Sequence, residues 1–216
     1  MKQQLLNHIT TSFPNTYELQ KQYRSHPDYS LLTIDNFIPK DLVTLMAKEL
    51  DDLPLEECKH FTRAGSCMYE FNNVDRTPVQ DAVVHALHSS TFIKWLQEVT
   101  DTVDLIPDPH LVGAGYMKSF TGDSLKVHTD FNWNDQLRLH RMLSVVIYLN
   151  EEWYPNWGGL FLYKREEDPQ INTFFPSYNC CVINNNQILH GTSAVTSEAQ
   201  DRETVQVFWY ERKDVK

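Results

Sequence analysis

Two side chains with metal-binding chemistry stand two residues apart in the segment KVHTDFN, residues 126–132. His128 offers an imidazole nitrogen and Asp130 a carboxylate, and both groups bind divalent transition metals. The surrounding run is strand-like, and residues i and i+2 of a strand project from the same face. We therefore expect His128 and Asp130 to reach one metal ion, while Thr129 points to the opposite face. Because a His-x-Asp pair often arises by chance, a third ligand is needed.

His190 is the best candidate for that third ligand. It lies in NQILHGTSAV, at the end of another strand-like run and directly before Gly191. Two histidines and one carboxylate can occupy one face of an octahedron and leave three positions open, an arrangement typical of non-haem Fe(II) oxygenases. The residues alone therefore lead to the hypothesis of an Fe(II) site formed by His128, Asp130 and His190.

Two further polar side chains could bind a carboxylate near this site. Arg202 leads into the strand-like run ETVQVFWYE, where a guanidinium is costly unless its charge is paired, and it can bind a carboxylate with two hydrogen bonds. Tyr148 ends the apolar run SVVIY, and its hydroxyl could add a donor. A dicarboxylate cosubstrate would supply the partner. The alternatives are a solvated arginine with a core tyrosine, or an anchor at Arg141 or Lys126.

The elements that must position these residues change in character near residue 105. Before it, SLLTIDNFI is predicted to be a strand, and Pro39 opens a helix. Two more helices are predicted to meet near Ser89, with Ser90 as the N-cap of the second. The first of these three helices has a predicted apolar stripe of Leu42, Leu45, Met46 and Leu50.

From about residue 105, short apolar or alternating runs alternate with Gly, Pro, Asn and Asp. This pattern predicts many short antiparallel strands, as in a sandwich or barrel. We found no internal repeats and no low-complexity linker. The chain is therefore expected to be a single domain, residues 1–216, in which a mostly helical support region (1–104) packs on one sheet of a β-rich core (105–216).

Composition excludes some classes of protein. The 216 residues carry a formal net charge of −10 and a pI near 5.3, which disfavours binding to nucleic acid or to an anionic membrane surface. Neither a transmembrane run nor a signal peptide is apparent. The cysteines match no zinc or disulfide pattern, so we expect reduced thiols, with adjacent Cys180 and Cys181 on opposite sides of a strand, and a cytoplasmic location.

Taken in order, the motifs HTD, RMLSVVIYLNEEW, WGGLFLY, FPSYNCCVINNNQILHG and DRETVQVFWY resemble the Fe(II)/2-oxoglutarate-dependent dioxygenases, in particular the prolyl 4-hydroxylase-like branch. The resemblance runs from about LLTIDNFIPKDLV to the end of the chain. It implies a double-stranded β-helix, a jelly roll of two antiparallel sheets with supporting helices. It also implies that His128, Asp130 and His190 bind iron, and that Arg202 and Tyr148 bind 2-oxoglutarate.

The resemblance implies a hydroxylase that uses Fe(II), 2-oxoglutarate and O₂, with ascorbate as an optional reductant. The substrate is an unactivated C–H bond, in a prolyl or other peptidyl residue or in a free amino acid or other small metabolite. An inactive jelly-roll binding protein is the remaining alternative. Asn132 and Trp133, just after the carboxylate ligand, are candidate substrate contacts. Arg138, His140 and Arg141 are read as a solvated loop, or as positive charge for an acidic substrate.

Overall fold

The computed structural model describes residues 1–25, 30–63, 66–72, 77–164, 170–185 and 187–212. Within these ranges, five α-helices lie in the first hundred residues: α1 (Lys2–Ser12), α2 (Thr16–Tyr23), α3 (Lys40–Asp51), α4 (Pro78–Leu87) and α5 (Ser90–Thr100). The helices α1 and α2 have no counterpart in the sequence prediction. No helix of the described ranges is long and apolar enough to cross a bilayer.

The helix boundaries follow from local sequence, with two corrections. Helix α3 begins directly after Pro39, as predicted, but its buried stripe includes Val43, whereas Leu45 is 45% exposed. At 100° per residue Val43 falls only about 20° beyond Leu50 around the helix, whereas Leu45 falls about 60° beyond Leu42 on the other side. The N-cap of α5 is Ser89, whose side chain accepts from the backbone N–H of Phe92, and the predicted cap Ser90 is already helical.

Two antiparallel sheets form the β-rich part of the molecule. The larger sheet comprises β1 (Leu31–Ile34), β2 (Lys59–Arg63), β3 (Ser66–Phe71), β4 (Ile106–Pro107), β5 (Gly115–Ser119), β7 (Trp133–Asn134), β8 (Leu139–Tyr148), β11 (Cys181–Asn185) and β13 (Arg202–Glu211). These strands have the order β1-β11-β8-β13-β5-β3-β2, with β4 beside β13 and β7 beside β8.

The smaller sheet has the order β10-β9-β12-β6. Its strands are β6 (Leu125–His128), β9 (Phe161–Lys164), β10 (Asn172–Phe174) and β12 (Leu189–Thr192). The predicted jelly roll of two antiparallel sheets is therefore confirmed. The first strand is shorter than SLLTIDNFI suggested. The stretch after α3, read as irregular, contains the hairpin β2–β3, which extends the larger sheet through the pairing of β3 with β5.

The faces of the larger sheet bury different partners. Leu143, Val145 and Val207 belong to the main hydrophobic core together with helix residues such as Leu42 and Met46, so the helices cover this outer face, as predicted. A second buried cluster lies on the inner face, between the sheets, and comprises Tyr148, Phe161, Cys180 and Val182. Cys181 belongs to the main core, so the two adjacent cysteines do face opposite sides.

Candidate active site

His128 and His190 lie side by side on neighbouring strands of the smaller sheet. They are direct cross-strand partners in the pairing of β6 with β12. The register of this pair shifts immediately after His190, and a Cβ on Gly191 would lie 2.5 Å from the Leu125 carbonyl oxygen. Glycine at 191 therefore permits the close approach of the two strands beside the histidines.

Asp130 differs from its predicted setting because β6 ends at His128. The carboxylate lies two residues beyond the strand, but it still meets both imidazoles. Its Oδ1 is 3.5 Å from His128 Nε2 and 3.8 Å from His190 Nε2. The three candidate ligand atoms all lie within 4.8 Å of one another. The structure thus brings together the three side chains that the sequence singled out.

The hydrogen bonds of the two imidazoles suit metal binding. Nδ1 of His128 lies 2.8 Å from the Lys126 carbonyl oxygen, and Nδ1 of His190 lies 3.1 Å from the Ile188 carbonyl oxygen. Because a carbonyl oxygen only accepts, both Nδ1 atoms must donate, and a neutral ring then carries its lone pair on Nε2. Backbone carbonyls commonly orient metal-binding histidines in this way. The donor set therefore fits a divalent ion such as Fe(II).

The protonation of the three groups reflects their shared environment. Burial alone would raise the pKa of Asp130, but the contact with His128 and the charges of His190 and Arg141 hold it below its ordinary value. The same contact raises the pKa of His128. Burial lowers the pKa of His190. Asp130 is therefore anionic at neutral pH, as a metal ligand would need to be, and His190 is held neutral.

Arg202 and Tyr148 meet on the inner face of the larger sheet. The Arg202 side chain is buried, its Nε donates to the Gly159 carbonyl oxygen at 2.9 Å, and its guanidinium carbon lies 5.1 Å from the centre of the Tyr148 ring. Among the described residues, Arg202 has no carboxylate partner. The Tyr148 hydroxyl is buried without a hydrogen-bond partner in the same ranges. An unpaired cation and an unused donor side by side fit a carboxylate ligand.

Burial shifts the pKa of both groups. It raises the pKa of Tyr148 to about 12, although the charge of Arg202 acts in the opposite direction. It lowers the pKa of Arg202, which still remains charged because a guanidinium titrates far above neutral pH. At neutral pH the pair therefore presents one positive charge and one O–H donor.

Gly159 packs directly against the Arg202 side chain. It has φ +62°, and a Cβ there would lie 2.8 Å from Arg202 Cδ and 2.9 Å from the Trp153 ring. The preceding Gly158 has φ +69°, and its carbonyl oxygen accepts from the Trp153 indole N–H at 2.9 Å. The two glycines of the WGG motif thus form a backbone surface without side chains. Both Arg202 and Trp153 pack against this surface.

Phe161 connects the two polar groups. Its ring stacks on His190, with ring centres 5.7 Å apart and planes at 16°, and it belongs to the same buried cluster as Tyr148. The candidate metal ligands and the Arg202–Tyr148 pair therefore flank one apolar cluster between the two sheets, where electrostatic interactions are stronger than in water.

Arg141 is the site residue that sequence reasoning placed wrongly. It belongs to strand β8 and is buried, so it is part of no solvated loop, and its Nη1 lies 3.4 Å from Asp130 Oδ2. Strict alternation would place it on the helix-covered face with Leu143. However, Trp209 pairs with Leu143 while Tyr210 pairs with Arg141, so Met142 is an extra residue. This bulge places Arg141 on the inner face, and no local sequence pattern predicts the bulge.

The two predicted substrate contacts lie on the hairpin that follows Asp130. Asn132 is exposed, and its carbonyl oxygen accepts from the backbone N–H of Arg141 at 3.0 Å. Trp133 is half-buried and donates its indole N–H to Asp135 at 2.9 Å. Its ring also meets the His140 ring edge-on, with the ring centres 4.8 Å apart. Local contacts thus occupy Trp133, whereas the Asn132 side chain faces solvent.

The β-rich region matches a known family. Residues 114–211 match the model of the 2OG-Fe(II) oxygenase superfamily. A search of curated proteins finds no significant match. This region is therefore similar to the 2OG-Fe(II) oxygenase superfamily, and the fold is that of solved prolyl 4-hydroxylases. The match is consistent with a 2-oxoglutarate-dependent non-haem iron oxygenase, with Fe(II) and 2-oxoglutarate as cofactor and cosubstrate.

Solved structures share the fold at low sequence identity. A Pseudomonas putida prolyl-4-hydroxylase is 18% identical with a TM-score of 0.67, and the match covers 90% of this chain and 100% of that one. A Trichoplax adhaerens prolyl hydroxylase, in complex with a hypoxia inducible factor peptide, is 13% identical with a TM-score of 0.64 and coverages of 94% and 93%. HygX from Streptomyces hygroscopicus, with nickel, 2-oxoglutarate and hygromycin B bound, is 13% identical with a TM-score of 0.62 and coverages of 88% and 86%.

Proposed function

We propose that this oxygenase hydroxylates an unactivated C–H bond of a prolyl or other residue in a protein or peptide, with Fe(II) held by His128, Asp130 and His190. The observation that carries the proposal is that one possible ligand atom from each of His128, Asp130 and His190 lies within 4.8 Å of the other two. Both rings are held by backbone carbonyls so that their lone pairs are available. Once bound, iron and 2-oxoglutarate supply the oxidising chemistry that protein side chains lack.

Arg202 and Tyr148 are proposed to bind the carboxylate of 2-oxoglutarate that is remote from the metal. Both are buried; among the described residues Arg202 has no carboxylate partner, and the Tyr148 hydroxyl has no hydrogen-bond partner. Phe161 and the buried cluster to which it belongs lie between this pair and the histidines, so the environment that links them is apolar. A dicarboxylate bridging the two groups would complete both sets of interactions.

A peptidyl substrate is favoured by the likeness to prolyl hydroxylases over nearly the whole chain. The exposed Asn132 and the half-buried Trp133, next to the carboxylate ligand, are the proposed substrate contacts. A second candidate is a small metabolite, because HygX, crystallised with hygromycin B, has a similar TM-score. The two candidates share the proposed metal and cosubstrate residues, and the hairpin that follows Asp130 is the proposed region of substrate selection.

The metal assignment is tested by replacing the carboxylate ligand. Asp130→Ala should abolish binding of Fe(II) and the visible charge-transfer band that Fe(II) and 2-oxoglutarate give together under anaerobic conditions. Turnover of 2-oxoglutarate to succinate should fall by at least about 10³-fold, or about 4 kcal/mol. Asp135→Ala, which removes a nearby carboxylate that is not one of the three ligands, is the matched control. Wild-type metal binding by the Asp130 variant would refute the assignment.

The substrate class is tested by stimulated succinate formation with two sets of compounds. Proline-containing peptides should stimulate succinate formation and gain one oxygen atom by mass spectrometry. Free amino acids and hygromycin B form the second set. If only the second set is hydroxylated, the peptide proposal fails while the metal and cosubstrate proposals stand.

A further inference from the structure

Arg141 is buried against the candidate metal ligand Asp130. Its side chain is 1% exposed, and its Nη1 lies 3.4 Å from Asp130 Oδ2. The strand bulge at Met142 directs it to this face of the sheet. Bulges are common beside active sites, where they redirect a single side chain.

Two aromatic rings fix the plane of this guanidinium. The central carbon of Arg141 lies 3.5 Å from the centre of the Phe131 ring and 3.4 Å from the centre of the Phe208 ring. Guanidinium groups stack well on aromatic faces, and their planar geometry then loses little further freedom when they bind a carboxylate. The edge of the guanidinium, rather than its face, is therefore available to Asp130.

The two oxygens of Asp130 consequently have different surroundings. Oδ1 faces the imidazoles, at 3.5 Å from His128 Nε2 and 3.8 Å from His190 Nε2. Oδ2 is buried, has no hydrogen-bond partner within the described ranges, and has the charge of Arg141 as its neighbour. One oxygen is thus presented to the metal space and the other to the cation.

We propose that Arg141 is a positioning residue that makes Asp130 offer a single oxygen to the metal. This inference rests on the proposed ligands. A carboxylate can bind a metal ion through one oxygen or through both. A second oxygen from Asp130 would take one of the three positions that the two-histidine, one-carboxylate arrangement leaves open. By attracting Oδ2, Arg141 keeps that position available for 2-oxoglutarate.

Arg141 is less suited to bind 2-oxoglutarate itself. Its charge is already compensated by Asp130, and both faces of its guanidinium are covered by Phe131 and Phe208. A new carboxylate would have to compete with Asp130. A purely structural role would be served by any residue that fills the space between the rings, so charge and shape must be separated experimentally.

The test compares Arg141→Met, which keeps an unbranched chain between the rings but removes the charge, with Arg141→Lys, which keeps the charge. Full-length protein is loaded with Co(II), whose visible absorption reports coordination number, and is then titrated with 2-oxoglutarate. Arg141→Met should bind Co(II) at least as tightly as wild type and bind 2-oxoglutarate about 10- to 100-fold more weakly in the presence of metal. The visible Co(II) spectrum of this variant should also change much less than that of wild type when 2-oxoglutarate is added. Arg141→Lys should restore most of the wild-type response.

Two outcomes overturn the inference. Wild-type spectra and affinities in Arg141→Met would show that the charge does not position Asp130. Equal loss of 2-oxoglutarate binding with and without metal would make Arg141 an anchor. If Arg141→Met does not fold, Phe131→Leu, at a ring that is 46% exposed, replaces it. It should weaken metal-dependent 2-oxoglutarate binding, and unchanged binding would again overturn the inference.

Failure of the proposed function is distinguished by the wild-type protein measured first. The ligand assignment is refuted if the wild type binds neither Co(II) nor Fe(II). It is also refuted if Asp130→Ala still binds these metals as the wild type does. A wild type that binds metal and 2-oxoglutarate, beside an Arg141→Met that does the same, refutes only the role of Arg141.

Discussion

Two buried arginines lie near opposite ends of β13 on the same face of the larger sheet, and they differ in how their charge is compensated. Arg141, which pairs with Tyr210, has Asp130 as its partner at 3.4 Å. Arg202, the first residue of the strand, contacts the Gly159 carbonyl oxygen and the Tyr148 ring and has no carboxylate partner within the described ranges. Since an unpaired buried cation is costly, we propose that Arg202 binds an external anion, whereas Arg141 interacts with a group of the protein itself.

The largest effect is expected from removing the uncompensated charge. Arg202→Met should weaken 2-oxoglutarate binding by about 100-fold, or about 3 kcal/mol, because the ligand carboxylate would enter a buried site without a counter-charge. Metal affinity, measured by titration without 2-oxoglutarate, should not change. An unchanged 2-oxoglutarate affinity by calorimetry would move the anchor elsewhere and remove the contrast between the two arginines.

A smaller effect is expected from displacing Arg202 without changing it. In Gly159→Ala the new Cβ would lie 2.8 Å from Arg202 Cδ, and the residue would keep a left-handed φ of +62°. We expect about a 10-fold loss of 2-oxoglutarate affinity and about 1–2 kcal/mol of lost stability from the strained backbone.

Gly122→Ala is the matched control for Gly159→Ala. Gly122 also has a left-handed φ, +87°, but a Cβ there would meet nothing within 4 Å. This variant should therefore lose similar stability in a thermal melt and retain wild-type affinity for 2-oxoglutarate. Equal affinities in both variants would contradict the supporting role of Gly159.

Tyr148→Phe removes the hydroxyl that has no partner among the described residues. Loss of one hydrogen bond to the ligand should weaken 2-oxoglutarate binding about fivefold, or about 1 kcal/mol. The ligand-free protein should be as stable as wild type or slightly more stable, because a buried unsatisfied group is lost. Opposite changes in thermal stability and calorimetric affinity are the expected signature, and a destabilised free protein would indicate a structural role.

The smallest effect concerns a third buried cation, Lys118 on the outer face, which has a surplus of acidic partners. Its Nζ lies 3.0 Å from both Asp51 and Glu203 and 3.6 Å from Asp201. Burial raises the pKa of Glu203 to about 7, although Lys118 lowers it, while the acidic groups together raise the pKa of Lys118. One ammonium group cannot compensate three carboxylates, so the charge of Asp51 adds to the effect of burial on the pKa of Glu203.

Because the folded protein binds a proton at Glu203 more tightly than the unfolded chain, stability should fall as pH rises from about 4.5 to 7 and level off above. Glu203→Gln should remove this fall and stabilise the protein by on the order of 1 kcal/mol at pH 8 relative to its effect at pH 5. Thermal melts across this pH range provide the measurement. An equal slope in wild type and variant would contradict the assignment.

Strand periodicity was sufficient to predict an antiparallel β-rich core, and the resemblance carried by the ordered motifs implied the jelly roll. The spacing of His128 and Asp130, together with the strand-like run before His190, predicted that the three side chains meet. Local patterns failed where tertiary structure decides. The hairpin β2–β3 is recognisable only through its pairing with β5. Arg141 was misplaced because the bulge at Met142 depends on the partner strand β13. Asp130 reaches the histidines from beyond the end of β6, a path that the spacing of two residues does not reveal.

The extra residue at Met142 also determines which side chains of this hairpin face the metal ligands. Arg141 lies on the inner face because one unpaired position separates it from the regular alternation of Leu143, Val145 and Ile147. If β8 lost the bulge and kept all its residues, Met142 would pair with Tyr210, and every side chain from there to the turn would exchange faces. Deleting Met142 would instead leave Arg141 on the inner face beside Tyr210. The pairing of β8 with β13 therefore specifies this part of the active site together with the residue types.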